Sequence, residues 1–472
     1  MSKSKSFLIC LLIGLMSLAG SAGAEVTVEY LTGVTANAIS ADGTVIVGNT
    51  VGDYETFRWT AETGVVTLGL ATVPAIGQGA GAPDVSSDGT RISASILTDD
   101  GLSMTQGRWT LGEGWEQTMP PTPPDGGLFS DAFGSAWGIS GDGETVVGLY
   151  WRPGATDGSA HGSAWTRETG CIGLGSGAAG GNSRANDASG DGSVIVGWSE
   201  AAFGTWMPTV WKDGELTVLN ASEYWTQATC ITDDGTWIAG SAGDADADMR
   251  LATLWHDNGE GWDEISLGVL SGTFPGYGMA QPMDINADAT IVVGFNQFEM
   301  NPGSAKGFIW TLEDGMVEIR EYLEDNGVEI EPLLNIVSVT AVSDDGSVMT
   351  ALAQELYAPF SYRTLIIRNE TVSGVPVPDA RMAIGANYPN PFNPMTRIPV
   401  TMDRDGFMRL EVFDAAGRRV RTLHSGQLTG GDHEFRWDGK TEQGQSAATG
   451  VYMARISDDN GTTASRRMTL LK

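Results

Sequence analysis

The sequence predicts an all-β chain: a seven-bladed, propeller-like ring of repeats followed by a small β-sandwich. A five-residue phrase recurs seven times, a short β-branched run follows most copies, and a Trp stands behind six of the seven. The phrase reads Ile39-Ser40-Ala41-Asp42-Gly43, Val85-Ser86-Ser87-Asp88-Gly89, Ile139-Ser140-Gly141-Asp142-Gly143 and Ala188-Ser189-Gly190-Asp191-Gly192. It continues as Ile231-Thr232-Asp233-Asp234-Gly235, the degenerate Ile285-Asn286-Ala287-Asp288-Ala289, and Val342-Ser343-Asp344-Asp345-Gly346. The marker aspartates are 46, 54, 49, 43, 54 and 57 residues apart. Such a spacing is that of a repeat array.

Asp-Gly between two short apolar runs signals a hairpin, because Gly accepts positive φ and the Asp carboxylate can bond nearby amides. The run after it, as in Val45-Ile46-Val47-Gly48, Val146-Val147-Gly148, Val194-Ile195-Val196-Gly197 and Ile291-Val292-Val293-Gly294, is a strand. Trp59, Trp109, Trp165, Trp211, Trp255 and Trp310 follow 17 to 23 residues after their markers, where a large aromatic would fill the wedge between blades. The seventh unit has Ile366 or Ile367 in that stretch. A further apolar segment, such as Val65 to Gly69 or Cys171 to Gly175, gives a fourth strand. Four strands in about 50 residues fit a propeller blade. A stacked β-solenoid is the competing reading, with coils usually shorter and more regular than these. Glu25 to Leu31, with Val26, Val28 and Tyr30 on one face, could complete the seventh blade and remove a free sheet edge.

These phrases resemble the extracellular HAF-type repeat. Thr56-Phe57-Arg58-Trp59-Thr60, Ser163-Ala164-Trp165-Thr166 and Gly307-Phe308-Ile309-Trp310-Thr311 match its second phrase, and Glu321-Tyr322-Leu323 followed by Gly327 its late segment. Ser93-Ala94-Ser95, Ala289 and the missing seventh Trp depart from it. The resemblance implies an exported repeat protein and no defined activity.

Residues 1–24 read as a secretory signal peptide: Lys3 and Lys5 precede an apolar run from Phe7 to Leu18, and Ala22-Gly23-Ala24 places cleavage between Ala24 and Glu25. The apolar run is shorter than a spanning helix needs, and no later stretch qualifies, so no transmembrane segment is expected in the mature chain. The 472 residues carry 27 basic and 59 acidic groups, a formal charge of −32, which argues against a nucleic-acid partner. The imbalance is local. Residues 25–379 sum to −37, whereas Arg381 onward holds 13 basic and 10 acidic groups. Cys171 and Cys230 could pair after export, but two cysteines are no disulfide framework, and two small buried residues are the plainer reading.

The repeat body is assigned to 25–372 and a Pro-containing linker to 373–386. From 387 to 472 the sequence reads as a β-sandwich. Asn387 to Pro394 is an extended or turning lead-in; Met408, Leu410 and Val412 would face inward while Arg409 and Glu411 face water; Asp414 to Gly417 turns the chain; Val420 to Leu423, His433 to Trp437, Val451 to Ile456 and Ala464 to Leu471 are further strands. Asn387 to Pro394, Leu410 to Arg418, Gly431 to Gly439, Gly450-Val451-Tyr452 and Arg466 to Lys472 resemble the immunoglobulin-like domain shared by flagellar hook-capping proteins and type IX secretion sorting domains. That resemblance implies an immunoglobulin-like sandwich, passage across the outer membrane of a Gram-negative bacterium by the type IX machinery, and release or surface attachment. A plain stalk is the alternative.

No catalytic residue, cofactor site or metal site is assigned. His161 and His256 lack ligand spacing, there is no Gly-x-Ser-x-Gly elbow, and Gly175 to Gly181 follows no phosphate-loop pattern. Asp244-Ala245-Asp246-Ala247-Asp248 alternates carboxylates, yet Met249 and Trp255 stand where a calcium loop needs Gly and Glu; a solvated loop is the reading, with room for weak calcium binding. Seven repeated aspartates argue for structure over catalysis. The function expected is a non-enzymatic, secreted or surface-located binding and display module with an unidentified protein or glycan ligand. The rivals are a glycan-acting hydrolase or lectin, with loop carboxylates and Trp137, Trp151, Trp206 or Trp225 as sugar platforms, and a structural envelope component.

Overall fold

The computed structural model describes residues 25–470 apart from 72–80, 98–103, 119–133, 152–159, 179–180, 201–203, 300–303, 312–313, 371–381, 385–391, 415–417, 458–462 and the single positions 357, 393, 403, 405 and 449. The leader assigned to 1–24, with Ala24, lies outside them, as does most of Asn387 to Pro394. Glu25 opens the first strand. The chain divides into two compact units, Met1–Thr371 and Val372–Lys472.

The first unit is built from antiparallel four-stranded meanders, one per repeat. Blade 1 runs Val34–Ile39, Ile46–Thr50, Glu55–Thr60 and Gly64–Ala71 from the axis outward. Blades 2 to 6 repeat this order, and a single parallel bridge between Arg250 and Met279 joins blades 5 and 6. Blade 7 takes three strands from its own repeat, Leu334–Val342, Val348–Glu355 and Ala358–Glu370. Its fourth is Glu25–Thr32, paired in register from Glu25 with Glu370 to Thr32 with Arg363. The ring therefore closes on strands from both ends of the repeat body, and the solenoid alternative falls away.

The marker phrase builds one turn throughout. In the first copy the Gly43 amide donates to the Ser40 carbonyl (2.8 Å), the Ser40 hydroxyl to Asp42 Oδ1 (2.7 Å), the Thr44 amide to the same oxygen (3.0 Å), and the Val45 amide back to Ser40 Oγ (3.0 Å). Gly43 sits at φ +70°, a conformation that costs a Cβ-bearing residue free energy. In the degenerate sixth copy Asn286 replaces the Ser: its Nδ2 donates to Asp288 and its Oδ1 accepts from the Ile291 amide, while Ala289 is held at φ +54°. Marker glycines also lie against the neighbouring blade; a Cβ on Gly89 would stand 2.5 Å from Val45 Cγ2.

The Trp residues occupy one register position. Trp59, Trp109, Trp165, Trp211, Trp255 and Trp310 lie opposite Ile46, Ile92, Val146, Ile195, Ile238 and Val292. In blade 7 the corresponding Met349 faces Ile367, which resolves the choice left open with Ile366. The rings pack toward the preceding blade: Trp59 with Ala341 and Val348, Trp211 with Val147 and Ala164, Trp255 with Val194 and Val210. Trp165 instead lies under the buried Arg108 of blade 2, 4.8 Å from its centroid, and Arg108 also pairs with Glu116 and Glu144. The Glu321 to Leu323 segment forms a short helix, Ile319–Asp325, whose Ile319 and Leu323 join the core of blades 6 and 7. Cys171 and Cys230 are buried, free, and in different blades.

The second unit is a sandwich of a three-stranded sheet (Met382–Ile384, Thr396–Met402, Gly431–Trp437) and a four-stranded one (Arg419–Leu428, Gly406–Asp414, Gly450–Ser457, Thr463–Leu470). Met408, Leu410 and Val412 pack with Ile398, Val400, Trp437 and Tyr452. Glu411 departs from expectation. It is only 7% exposed because Arg419 covers it at 3.0 Å and Thr422 lies beside it. No described helix is long and apolar enough to cross a membrane.

Two glycine exchanges separate strain from contact. Gly64, at φ +63° with nothing near its Cβ position, should lose about 1 kcal/mol of stability as Gly64→Ala. Gly89→Ala adds overpacking on Val45 and should lose about 2–4 kcal/mol. Denaturant midpoints of the two variants check this; equal losses would refute the interblade contact as a constraint.

Candidate functional site

The inner strands enclose an axial channel of about 310 Å³. Most of these strands carry a bulge, with register shifts between Ala36 and Ala38, Ala136 and Gly138, Ala185 and Asp187, Ala228 and Cys230, and Pro282 and Asp284. A bulge re-aims a side chain, and the extra residues Asn37, Trp137, Asn186, Thr229 and Met283 all line the channel.

The next position inward carries Asp in blades 2, 4 and 6. Asp84 accepts the Val85 amide (2.8 Å) and, from blade 3, the Ile139 amide (2.9 Å). Asp187 accepts Ala188 (2.7 Å) and Ile231 of blade 5 (2.9 Å). Asp284 accepts Ile285 (2.8 Å) and Val342 of blade 7 (2.8 Å). Each carboxylate thus joins two blades with one oxygen apiece. Burial pushes Asp84 up to about 6 and Asp284 up to about 7 against the lowering effect of the amides, and it raises Asp187 well above the usual range, helped by the charge of Asp84.

Below this tier the marker turns form a collar of backbone bonds. The amides of Ala41, Ser87, Asp142, Gly190, Ala287 and Asp344 donate to the carbonyls of Ser87, Gly141, Gly190, Asp233, Asp344 and Ala41. Ser87 Oγ donates across the collar to Asp233 Oδ2 (2.6 Å), and a Cβ on Gly141 would collide with both. Burial raises Asp344, assisted by Asp233 and Asp345.

Above the aspartates lies Arg184, 5% exposed. Its Nε donates to Asn186 Oδ1 (2.6 Å) and Nη2 to Gln227 Oε1 (2.7 Å), and its guanidinium is 3.7 Å from the centroid of Trp137 and 5.7 Å from that of Trp198. Burial lowers it to about 9. Trp198 stacks on Trp206 (4.2 Å, 14°), and Trp206 on Trp225 (4.8 Å). A continuous stack therefore runs from the channel to solvent, where Trp225 is 54% exposed. Tyr224 Oη donates to Asp248 Oδ1, and the Asp248 carbonyl accepts the Gly276 amide, joining this rim to a loop with Phe274 and Tyr277, 60% and 56% exposed.

Of the residues singled out from sequence, Trp137, Trp206 and Trp225 share that stack, whereas Trp151 ends a strand of blade 3. His161 stacks on Tyr150 and His256 on Trp237. Asp244 to Asp248 is a hairpin loop in which Asp244 Oδ1 accepts the Asp246 and Ala247 amides. No group of three or more metal-ligating side chains comes together among the described residues. Sequence reasoning missed Asp84, Asp187, Asp284 and Arg184. The three aspartates each stand four residues before a marker Asp, in alternate units, which was a readable signal; nothing in the sequence flags Arg184.

Residues 402–462 match the FlgD Ig-like domain family. In that region the chain is 44% identical over 52 residues to the basal-body rod modification protein FlgD of Escherichia coli and to that of Salmonella typhimurium, covering 11% of this chain and 22% of each relative. It thus spans about a fifth of their length. Among solved structures it is similar in fold to the β-propeller domain of the Trilobed protease from Pyrococcus furiosus (10% identity, TM-score 0.42, 72% of this chain and 95% of that one). It is likewise similar to the Swd1 β-propeller domain of Myceliophteria thermophila (10% identity, TM-score 0.42, 72% and 98%). The chain combines a propeller-like domain with a carboxy-terminal FlgD Ig-like domain.

The two kinds of aspartate oppose each other in pH dependence. At Asp42, Asp88, Asp234 and Asp345 burial raises the pKa, but turn hydrogen bonds outweigh it and hold the groups low, so their stabilisation is lost as pH falls below about 4. Asp84 and Asp284 are raised from an ordinary 3.8, so their contribution is full below that value and is lost as pH rises through about 6 to 7. Asp284→Asn sets an amide NH₂ against one of two backbone N–H donors and should cost about 1–3 kcal/mol below about pH 4, the gap shrinking as pH rises from there to about 7 and levelling off above it. Denaturation of both proteins across pH checks this; a gap constant in pH would refute the assignment.

Proposed function

We propose that this is an exported, non-enzymatic binding and display protein whose propeller presents a recognition face. The observation that supports it is the rim formed by Trp225, Phe274 and Tyr277 and tied together through Asp248. Three large aromatics exposed beside carboxylates on one end of a soluble-type propeller mark an interaction surface. The channel carboxylates support the non-enzymatic reading, since both oxygens of each are engaged by backbone amides that hold blades together. Residues 1–24 act as a signal peptide cleaved between Ala24 and Glu25, the repeats belong to the HAF type, and the carboxy-terminal module hands the protein to the type IX secretion machinery of a Gram-negative cell, for release or surface attachment.

A lectin is the second reading, favoured by the free outer face of Trp225 at the end of its stack, a suitable platform for a sugar ring. A glycan and cell-surface protein array probed with the full chain separates the two. Trp225→Ala should cut retention on whichever class binds by about tenfold or more; unchanged retention would sink the rim as the recognition face. Deleting Gly385 to Lys472 should hold the protein in the periplasm, and undiminished surface delivery would overturn the sorting role.

A further inference from the structure

Arg184 is a buried cation with no carboxylate partner among the described residues, in a body that sums to −37. Its hydrogen bonds among the described residues use one N–H of Nε and one of Nη2, both toward neutral amide oxygens. The remaining donors belong to a side chain that lines the channel. An ionised group this deep ordinarily has a partner, and a guanidinium fork fits a carboxylate. Deeper in the same channel lies the opposite chemistry: Asp84, Asp187 and Asp284 present three carboxyl groups. Between the two tiers Asn37 lines the channel with a buried Oδ1 that has no hydrogen-bond partner among the described residues.

Arg184 and Asp187 lie on one strand, three residues apart with a bulge between them, which separates the tiers by about 7–10 Å. A peptide with free ends spans about 3.3–3.6 Å per residue, so two or three residues bridge that distance. The channel volume, about 310 Å³, falls at the lower end of small-ligand sites. We propose that the axial channel binds a zwitterionic di- or tripeptide, its terminal carboxylate on Arg184, its ammonium among the three aspartates, and an internal N–H donated to Asn37. A dianion would meet the aspartates and a diamine would meet Arg184; only a molecule charged oppositely at its two ends satisfies both tiers.

The test is calorimetric titration of the full-length chain with trialanine, N-acetyl-trialanine and trialanine amide, alongside glutarate and 1,5-diaminopentane. Changing the ligand leaves the fold untouched. Trialanine should bind saturably, each cap should weaken binding at least tenfold, and neither symmetric ion should compete with it. Arg184→Gln, checked for an unchanged circular dichroism spectrum, should weaken trialanine about tenfold or more while leaving trialanine amide as it was. No saturable binding of trialanine up to about 10 mM, a range that corresponds to roughly 3 kcal/mol of affinity, would overturn the proposal. So would equal binding of the capped peptides, or tighter binding of either symmetric ion. The rim exchange Trp225→Ala lies outside the channel, so the surface-recognition reading and this one fail separately.

Discussion

The structure depends on hydrogen bonds between side-chain oxygens and backbone amides at the axial end of each blade. A meander of four short strands has little core of its own, and a blade is stable only when its faces are covered by neighbours. The Ser-x-Asp-Gly turn makes that covering possible. Its hydroxyl and carboxylate satisfy the turn amides locally, its Gly takes the left-handed conformation, and a carbonyl of the phrase accepts an amide from the preceding turn of the ring. Blade spacing, the collar and the closeness of the Trp wedges all follow from that small unit.

Carboxylates serve this architecture in two electrostatic settings. At turns such as those of Asp42 and Asp88 they lie near solvent with several donors apiece and are held low, which suits a heavily acidic body whose surface charge keeps copies apart. Along the axis the same side chain is enclosed, faces others of its kind, and resists ionisation. An odd cation, Arg184, is set above them with aromatic rings on two sides. The channel is thus amphoteric in a body that is otherwise strongly anionic. On the blade 4 strand the bulge between Arg184 and Asp187 lets two residues three apart line the same channel.

Much of the fold was legible because its determinants are local and repeated. Asp-Gly hairpins, β-branched runs and a Trp at one register position are signals of a few residues each, and the alternation of Val26, Val28 and Tyr30 sufficed to suggest the closing strand. What was not legible depends on distant partners. Glu411 reads as a solvent-facing residue by alternation, and its burial comes from Arg419 on the adjacent strand. The choice between Ile366 and Ile367 required the pairing register. Arg184 looks like any surface cation in sequence; its role is created by Trp137, Trp198 and Gln227 from three different strands or loops.

The aspartate bridges join blades 2 to 3, 4 to 5 and 6 to 7, with small residues Gly138, Cys230 and Ala341 at the matching position of each receiving blade. Seven is odd, and blade 1, with Ala38 at that position, is left without such a bridge. The three bridged pairs are neighbours in sequence, whereas the flank of blade 1 is covered by blade 7, from the far end of the repeat body. The strand that begins at Glu25 waits for a partner at Glu370. Long-range closure of this kind is the slowest class of contact for a chain to find, and the ring places that demand on its own seam, where strands separated by nearly the whole repeat body must meet in register.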